Sequence, residues 1–200
     1  NQAKSMTQRS DETRAVITGM GVKTPAGCDI DSFWERVKSG KPTARVITNF
    51  DATELTVRFA CEVNDEDLAI DKYVNPKEAR RWDRFTQLGI AAAMDAFNDS
   101  GLKEGDFDPN RAAVVTGTGV GGILTLEEQW TIYQEKGPRG VSPFFVPSMM
   151  ANAIAGHASI MCGFAGVNFN VTTACAAGSH AIGEAARLIW DGTSDVVLSG

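Results

Sequence analysis

The sequence has little of what membrane spans, disulfide frameworks, zinc sites and general nucleic-acid binders require. No apolar run in its 200 residues reaches the roughly 18 needed to cross a bilayer, and the first residues hold no apolar signal core. Cys28, Cys61, Cys162 and Cys175 lack any paired short spacing, so neither a zinc site nor a disulfide scaffold is implied. A reducing, cytoplasmic setting fits such cysteines, and no metal and no cofactor are expected. Basic residues number 19 against 25 acidic ones, for a net charge of -6. That balance argues against a general nucleic-acid partner, while leaving room for a local basic patch.

What the chain does have is glycine, 20 residues of it, and a regular alternation of apolar strands with amphipathic helices. Glycine at that level marks tight turns and close backbone approach. Residues Asn1–Thr13 are polar and patternless and read as a disordered tail or a remnant of cloning, leaving residues 14–200 as one domain with a sizeable core. A short buried strand is expected over Arg14–Gly21 and an amphipathic helix over Asp31–Ser39. Val57–Val63 reads as a further strand. A long helix is expected from Pro76 to its stop at Gly101, then a buried strand at Ala112–Thr116 and a helix from Leu124 to Glu135. Gly137–Gly140 reads as a turn and Ser142–Pro147 as an apolar loop stiffened by two prolines, with Ser148 capping a helix over Met149–Met161. Short apolar strands alternating with helices predict an α/β fold with a buried, mostly parallel sheet. The Phe144–Phe145 loop calls for a covering surface from a second subunit or domain.

One stretch organises the rest. Val167, Phe169, Val171 and Thr173 alternate as in a strand, and Ala181, Ile182, Ala185, Ala186, Leu188 and Ile189 then recur at helical steps up to Gly192. Cys175 falls on the corner between them, ahead of the small residues Ala176–Ser179. A helix start carries free N–H groups and a positive dipole end, which favour a thiolate and so a nucleophile. A buried structural cysteine is the alternative. His180, five residues on, would lie about 140° around the helix from Cys175 and is poorly placed to act as its base. His157 sits in a packed helical context.

Gly117, Gly119 and Gly122 fit G-x-G-x-x-G, which taken alone suggests a dinucleotide site, but a tight strand-to-helix turn accounts for the same residues. Lys77, Arg80 and Arg81 share one side of a helix start, and Arg139 lies on a turn. They form either a solvated face or a docking patch for an acidic partner.

Three motifs in order then carry a resemblance: Gly117-Thr118-Gly119-Val120-Gly121-Gly122, Pro138 through Pro147, and Thr172-Thr173-Ala174-Cys175-Ala176-Ala177-Gly178-Ser179. Together they resemble the β-ketoacyl-[acyl carrier protein] synthases, of the type II fatty-acid condensing kind, from about Arg14 to Gly200. The resemblance implies a thiolase-like fold, here the N-terminal half of a duplicated α-β-α sandwich with a mixed, mostly parallel sheet. It implies acyl transfer to Cys175, with the Cys175 N–H as an oxyanion donor, and then decarboxylative Claisen condensation with a malonyl thioester. Val120, Ala174 and, across a homodimer, Phe145 would line the acyl pocket. Lys77, Arg80, Arg81 and Arg139 would meet the acyl carrier protein. The family's two catalytic histidines, lysine and glycine-rich oxyanion loop belong to a second half beyond Gly200, so a longer protein is expected. A ketosynthase of a type II polyketide pathway, paired as a heterodimer, shares these motifs. A non-catalytic chain-length subunit is a further alternative, but the family's silent subunits lack the cysteine.

Overall fold

The computed structural model describes residues 14–200, so the tail expected over Asn1–Thr13 lies outside the described residues. In chain order the elements are α1 (Ile30–Ser39), β1 (Arg45–Val46), β2 (Phe59–Ala60), α2 (Asp65–Leu68), α3 (Pro76–Ala79), α4 (Arg84–Asp99), β3 (Ala112–Gly117), α5 (Ile123–Lys136), α6 (Phe145–Met149), α7 (Ala153–Cys162), β4 (Asn168–Val171), α8 (Ala177–Trp190) and β5 (Val196–Ser199). They divide into two compact units. The first holds residues 14–18, 102–120 and 155–200, and the second holds residues 19–101 and 121–154.

The first unit is built on a three-stranded parallel sheet in the order β4-β3-β5, with Val114 opposite both Asn168 and Leu198. β3 is the central strand, and Ala112–Val115 are at most 1% exposed. A strand buried in the middle of a sheet is largely apolar, as Ala112–Val115 are, and its one buried hydroxyl, Thr116, donates to Asn170 Oδ1 at 3.0 Å. Parallel strands cannot be joined by a hairpin, so α8 makes the crossover from β4 past β3 to β5 and packs on all three strands. It does so through Ala177, Ala181 and Ala185, a buried row at four-residue steps whose short side chains let the helix lie close to the sheet. Arg111 closes the far end, its guanidinium meeting both Asp195 oxygens at 2.6 Å.

The second unit is mainly helical; it carries the antiparallel β1–β2 ribbon, Arg45 opposite Ala60, and a single antiparallel bridge between Thr24 and Gly27. α4 supplies buried Thr86, Ile90 and Ala91. The Glu62 carboxylate holds the ribbon by accepting the N–H groups of Thr48 and Asn49, each at 3.1 Å. Burial pulls the Glu62 pKa upward, but these donors and the Thr48 hydroxyl outweigh it and hold the group below the ordinary value.

Three sequence expectations are corrected. The strand over Arg14–Gly21 does not form: Val16 and Ile17 are 70% and 78% exposed and pair with no described strand. An apolar run becomes a strand only where a partner backbone accepts it. Gly19 and Gly21 lie instead against α4, where a Cβ would come within 2.2 Å of the Ala96 oxygen and 2.0 Å of the Ala92 oxygen. The long helix from Pro76 is two helices, because Asn75 and Asp83 each turn a side-chain oxygen onto the following backbone and start α3 and α4 separately. Finally, Ser148 caps nothing. It lies inside α6, its hydroxyl donating to the Arg81 carbonyl at 2.5 Å, and the next helix begins only at Ala153.

Candidate active site

The corner between β4 and α8 is shaped by one strained residue and one missing side chain. After Val171 the chain makes a single 3-10 turn, Ala174–Ala176, and enters α8. Ala174 has φ +50, a left-handed conformation that costs an L-residue roughly 1–2 kcal/mol. Such strain persists only where the surroundings over-determine it. The strand ends that lead into this corner are tied together: the Gly117 N–H donates to the Gly200 carbonyl at 2.8 Å, and the Thr118 N–H to the Val171 carbonyl at 3.2 Å. Gly117 itself lets the start of α8 rest on β3, since a Cβ there would lie 2.3 Å from the Ala177 oxygen. This is the role of the first glycine in the G-x-G-x-x-G run: close helix–strand approach, with no nucleotide needed to explain it.

Cys175 stands exposed on this corner. The N-cap of α8 is Ala176, which has no side chain able to cap, so the N–H groups of the first turn have no side-chain acceptor beside the thiol. His180 is occupied elsewhere: its Nδ1 is 2.8 Å from the Thr173 hydroxyl, a bond that clamps the strand end to the helix across the strained residue. His157 lies half-buried in α7 and is not without partners. Cys162, by contrast, is buried, and burial pushes its thiol up to about 11. Cys61 is exposed and Cys28 is half-buried, its thiol raised by burial. Cys175 alone of the four sits at the start of a helix that has no side-chain cap, although the Ala177 N–H is taken up by the Ala174 carbonyl.

Of the residues expected to line an acyl pocket, Val120 (66% exposed) and Ala174 belong to the unit that carries Cys175. Gly119, next to Val120, lies where a Cβ would be 3.8 Å from Ala174 Cα. Phe145 opens α6 in the other unit.

The second unit also gathers the basic residues. Lys77, Arg80, Arg81 and Arg139 are all exposed. Arg80 and Arg81 border a groove of about 340 Å³ together with Arg84, Asp83, Phe144 and Phe145, whereas Lys77 and Arg139 lie off its lining. The Arg81 guanidinium sits 4.5 Å over the Phe144 ring, a cation–π contact that fixes its direction. Arg84 is tied to Asp65 at 2.6 Å and to the Val63 carbonyl at 2.8 Å. Sequence reasoning missed both Arg84 and Asp83. Reading Asp83-Arg84-Phe85 as an N-cap and first turn would have found them.

Among the described residues, no group of three or more His, Cys, Asp or Glu could hold a metal ion, and no helix is long and apolar enough to cross a membrane.

Residues 12–200 match the family described as Beta-ketoacyl synthase, N-terminal domain. The chain is 43% identical over 187 residues to the 3-oxoacyl-[acyl-carrier-protein] synthase 2 of Vibrio harveyi, a match that covers 94% of this chain and 45% of the relative. The enzyme of that name from Synechocystis is 39% identical over 190 residues, with 95% and 45% covered. The chain thus spans about half the length of the curated relatives it matches. Among solved structures, the ishigamide ketosynthase/chain length factor superposes with a TM-score of 0.84 at 28% identity, covering 94% of this chain and 46% of that one. A type II polyketide ketosynthase in complex with its acyl carrier protein superposes at 0.74 and 28%, covering 94% and 49%. The parallel sheet, the α8 crossover and the cysteine corner are therefore the thiolase-like architecture seen in ketosynthases. The chain belongs to the β-ketoacyl synthase family, as its N-terminal domain.

Proposed function

We propose that this chain carries the acyl-accepting half of a β-ketoacyl-[acyl carrier protein] synthase of fatty-acid elongation, with residues 14–200 acting as one domain. The observation that carries the reading is Cys175, exposed on a strained corner in front of the uncapped first turn of α8. Its sulfur attacks the carbonyl of an acyl thioester, a new C–S bond forms, and the carrier's thiol leaves with the proton. Oxygen charge builds up in that step, and the Cys175 N–H is assigned as one of its donors.

In the second step malonyl-carrier protein loses CO₂, its carbanion attacks the Cys175 thioester, a C–C bond forms and the cysteine is released. That step would draw on the two histidines and the lysine of a half that these residues do not span. Val120, Ala174 and the partner copy's Phe145 would line the acyl pocket of a homodimer. Exposed Trp130 and Val146 support a covering second copy. Lys77, Arg80, Arg81 and Arg139 would receive the acidic acyl carrier protein, and Arg84 joins them on the groove. A cytoplasmic location belongs to the same proposal, with four free cysteines in its support.

Kinship to curated 3-oxoacyl synthases at 36–43% identity favours fatty-acid elongation over a polyketide ketosynthase, to whose solved structures the chain is 28% identical. Cys175→Ala in the full-length protein is expected to abolish the acyl-enzyme seen by intact-mass spectrometry after incubation with acyl-carrier protein. An acyl group found on another residue would overturn the assignment. Product analysis with acyl and malonyl carrier proteins separates a fatty-acid from a polyketide product.

A further inference from the structure

Asp83 is 5% exposed, and its carboxylate serves two helices at once. Oδ1 accepts the Phe85 N–H at 3.1 Å and caps α4, while Oδ2 accepts the Thr125 N–H at 2.7 Å in the first turn of α5. α5 needs this help, because its own N-cap is Gly122 and offers no side chain. Nor could Gly122 carry one. A Cβ there would lie 2.7 Å from Met149 Cα, 2.7 Å from the Ser148 oxygen and 3.2 Å from Asp83 Oδ2. The Gly122 N–H donates to the Met149 carbonyl at 3.0 Å, and Ser148 reaches back to the Arg81 carbonyl. These contacts close a circuit through the Arg80–Arg81 rim, the start of α5 and the helix that carries Phe145.

Capping α4 alone would not require aspartate, since serine or asparagine caps a helix about as well. What the second carboxylate oxygen adds is the tie to α5, a charge-assisted bond across 42 residues of chain. From this geometry we propose that Asp83 is a positioning residue for acyl-chain selection, holding Phe145 and the arginine rim in one fixed arrangement so that carrier docking and pocket shape are set together. The proposal rests on the reading of Phe145 and the arginines given above.

The test uses three variants of the full-length protein. Asp83→Ser keeps the α4 cap and cannot reach Thr125, and Asp83→Asn keeps the size with one accepting oxygen. Thr125→Pro deletes the donor from the other side, within the first turn of α5, where no intrahelical hydrogen bond is lost. For each, kcat and KM are measured with octanoyl and palmitoyl groups, presented both on carrier protein and as pantetheine thioesters. The expected result is a shift of about five- to tenfold in the palmitoyl-to-octanoyl ratio of kcat/KM, the scale of one net intramolecular hydrogen bond. Asp83→Ser and Thr125→Pro should shift it in the same direction, and their combination no further than either alone.

A uniform loss that leaves the ratio unchanged would mean that the tie only stabilises the fold, and would overturn the proposal. Val120→Phe and Phe145→Ala, assayed alongside, separate the two levels. If they move the ratio and the Asp83 variants do not, this proposal fails alone; if they too leave it unmoved, the pocket reading fails with it. Should Asp83→Ser not fold, Thr125→Pro decides, since it leaves the α4 cap in place.

Discussion

The cysteine corner and the arginine groove are both organised around the start of a helix, yet they come from the chain in opposite ways. The corner is local: residues 168–190 form strand, turn and helix without interruption, and Ala176 leaves the first turn of α8 uncapped. The groove is assembled from residues 80–84, 124–129 and 142–148, and the helix start it contains is capped from 42 residues away by Asp83. A helix start without a side-chain cap beside an exposed cysteine leaves the positive dipole end unneutralised there. A capped start under exposed arginines suits a rigid rim for a partner. The difference lies in the cap: α8 starts without a side-chain acceptor, whereas α5 borrows one from Asp83.

The contrast breaks most directly at the cysteines. Cys175 and Cys162 have opposite environments, and at pH 8 a thiol with a pKa of about 11 is ionised to only about one part in a thousand. Iodoacetamide followed by peptide mass spectrometry is expected to label Cys175 long before Cys162. Cys162 should gain reactivity as pH rises towards 11 with the fold intact. Equal labelling at pH 8 would show that the corner offers no more access than the core.

Next in size, Gly117→Val puts a branched side chain where the Ala177 oxygen lies 2.3 Å from the Cβ. A shift of backbone in the middle of the sheet should cost roughly 3–5 kcal/mol, read from urea unfolding of the full-length protein. An unchanged midpoint would mean that α8 does not lean on β3 there. The smallest effect belongs to the groove. Arg80→Glu with Arg81→Glu should raise KM for carrier-protein substrates about tenfold at low salt, less at high salt, and leave pantetheine thioesters unaffected. Equal loss on both substrate types would place the damage in folding.

The two regions also differ in how far they could be read from the residues. Strand β3, strand β4, helix α8, Gly192 as the stop and Cys175 on the corner follow from an unbroken apolar run, alternation, helical steps and a glycine. All act within one turn or a few residues. The run Arg14–Gly21 has the same apolar pattern and forms no strand, because strand pairing depends on a partner backbone that the run itself does not specify. The break before α4 was written in Asp83, but an amphipathic pattern that continues on both sides hides a cap. That Arg84 and Asp83 belong with Phe144 and Phe145 could not be inferred, as their meeting depends on hydrogen bonds spanning dozens of residues.

By itself, then, the order of residues determined the elements whose cause is local: the buried apolar strand, the alanine-faced helix and the cysteine between strand and helix. Tertiary structure alone decided that Ala174 is held at φ +50, that the three strand ends are tied to one another, and that one aspartate caps two helices. The physical reason is range. Backbone propensity and side-chain period act over a turn or two, whereas strain and shared caps exist only once distant backbones have been brought within hydrogen-bonding distance.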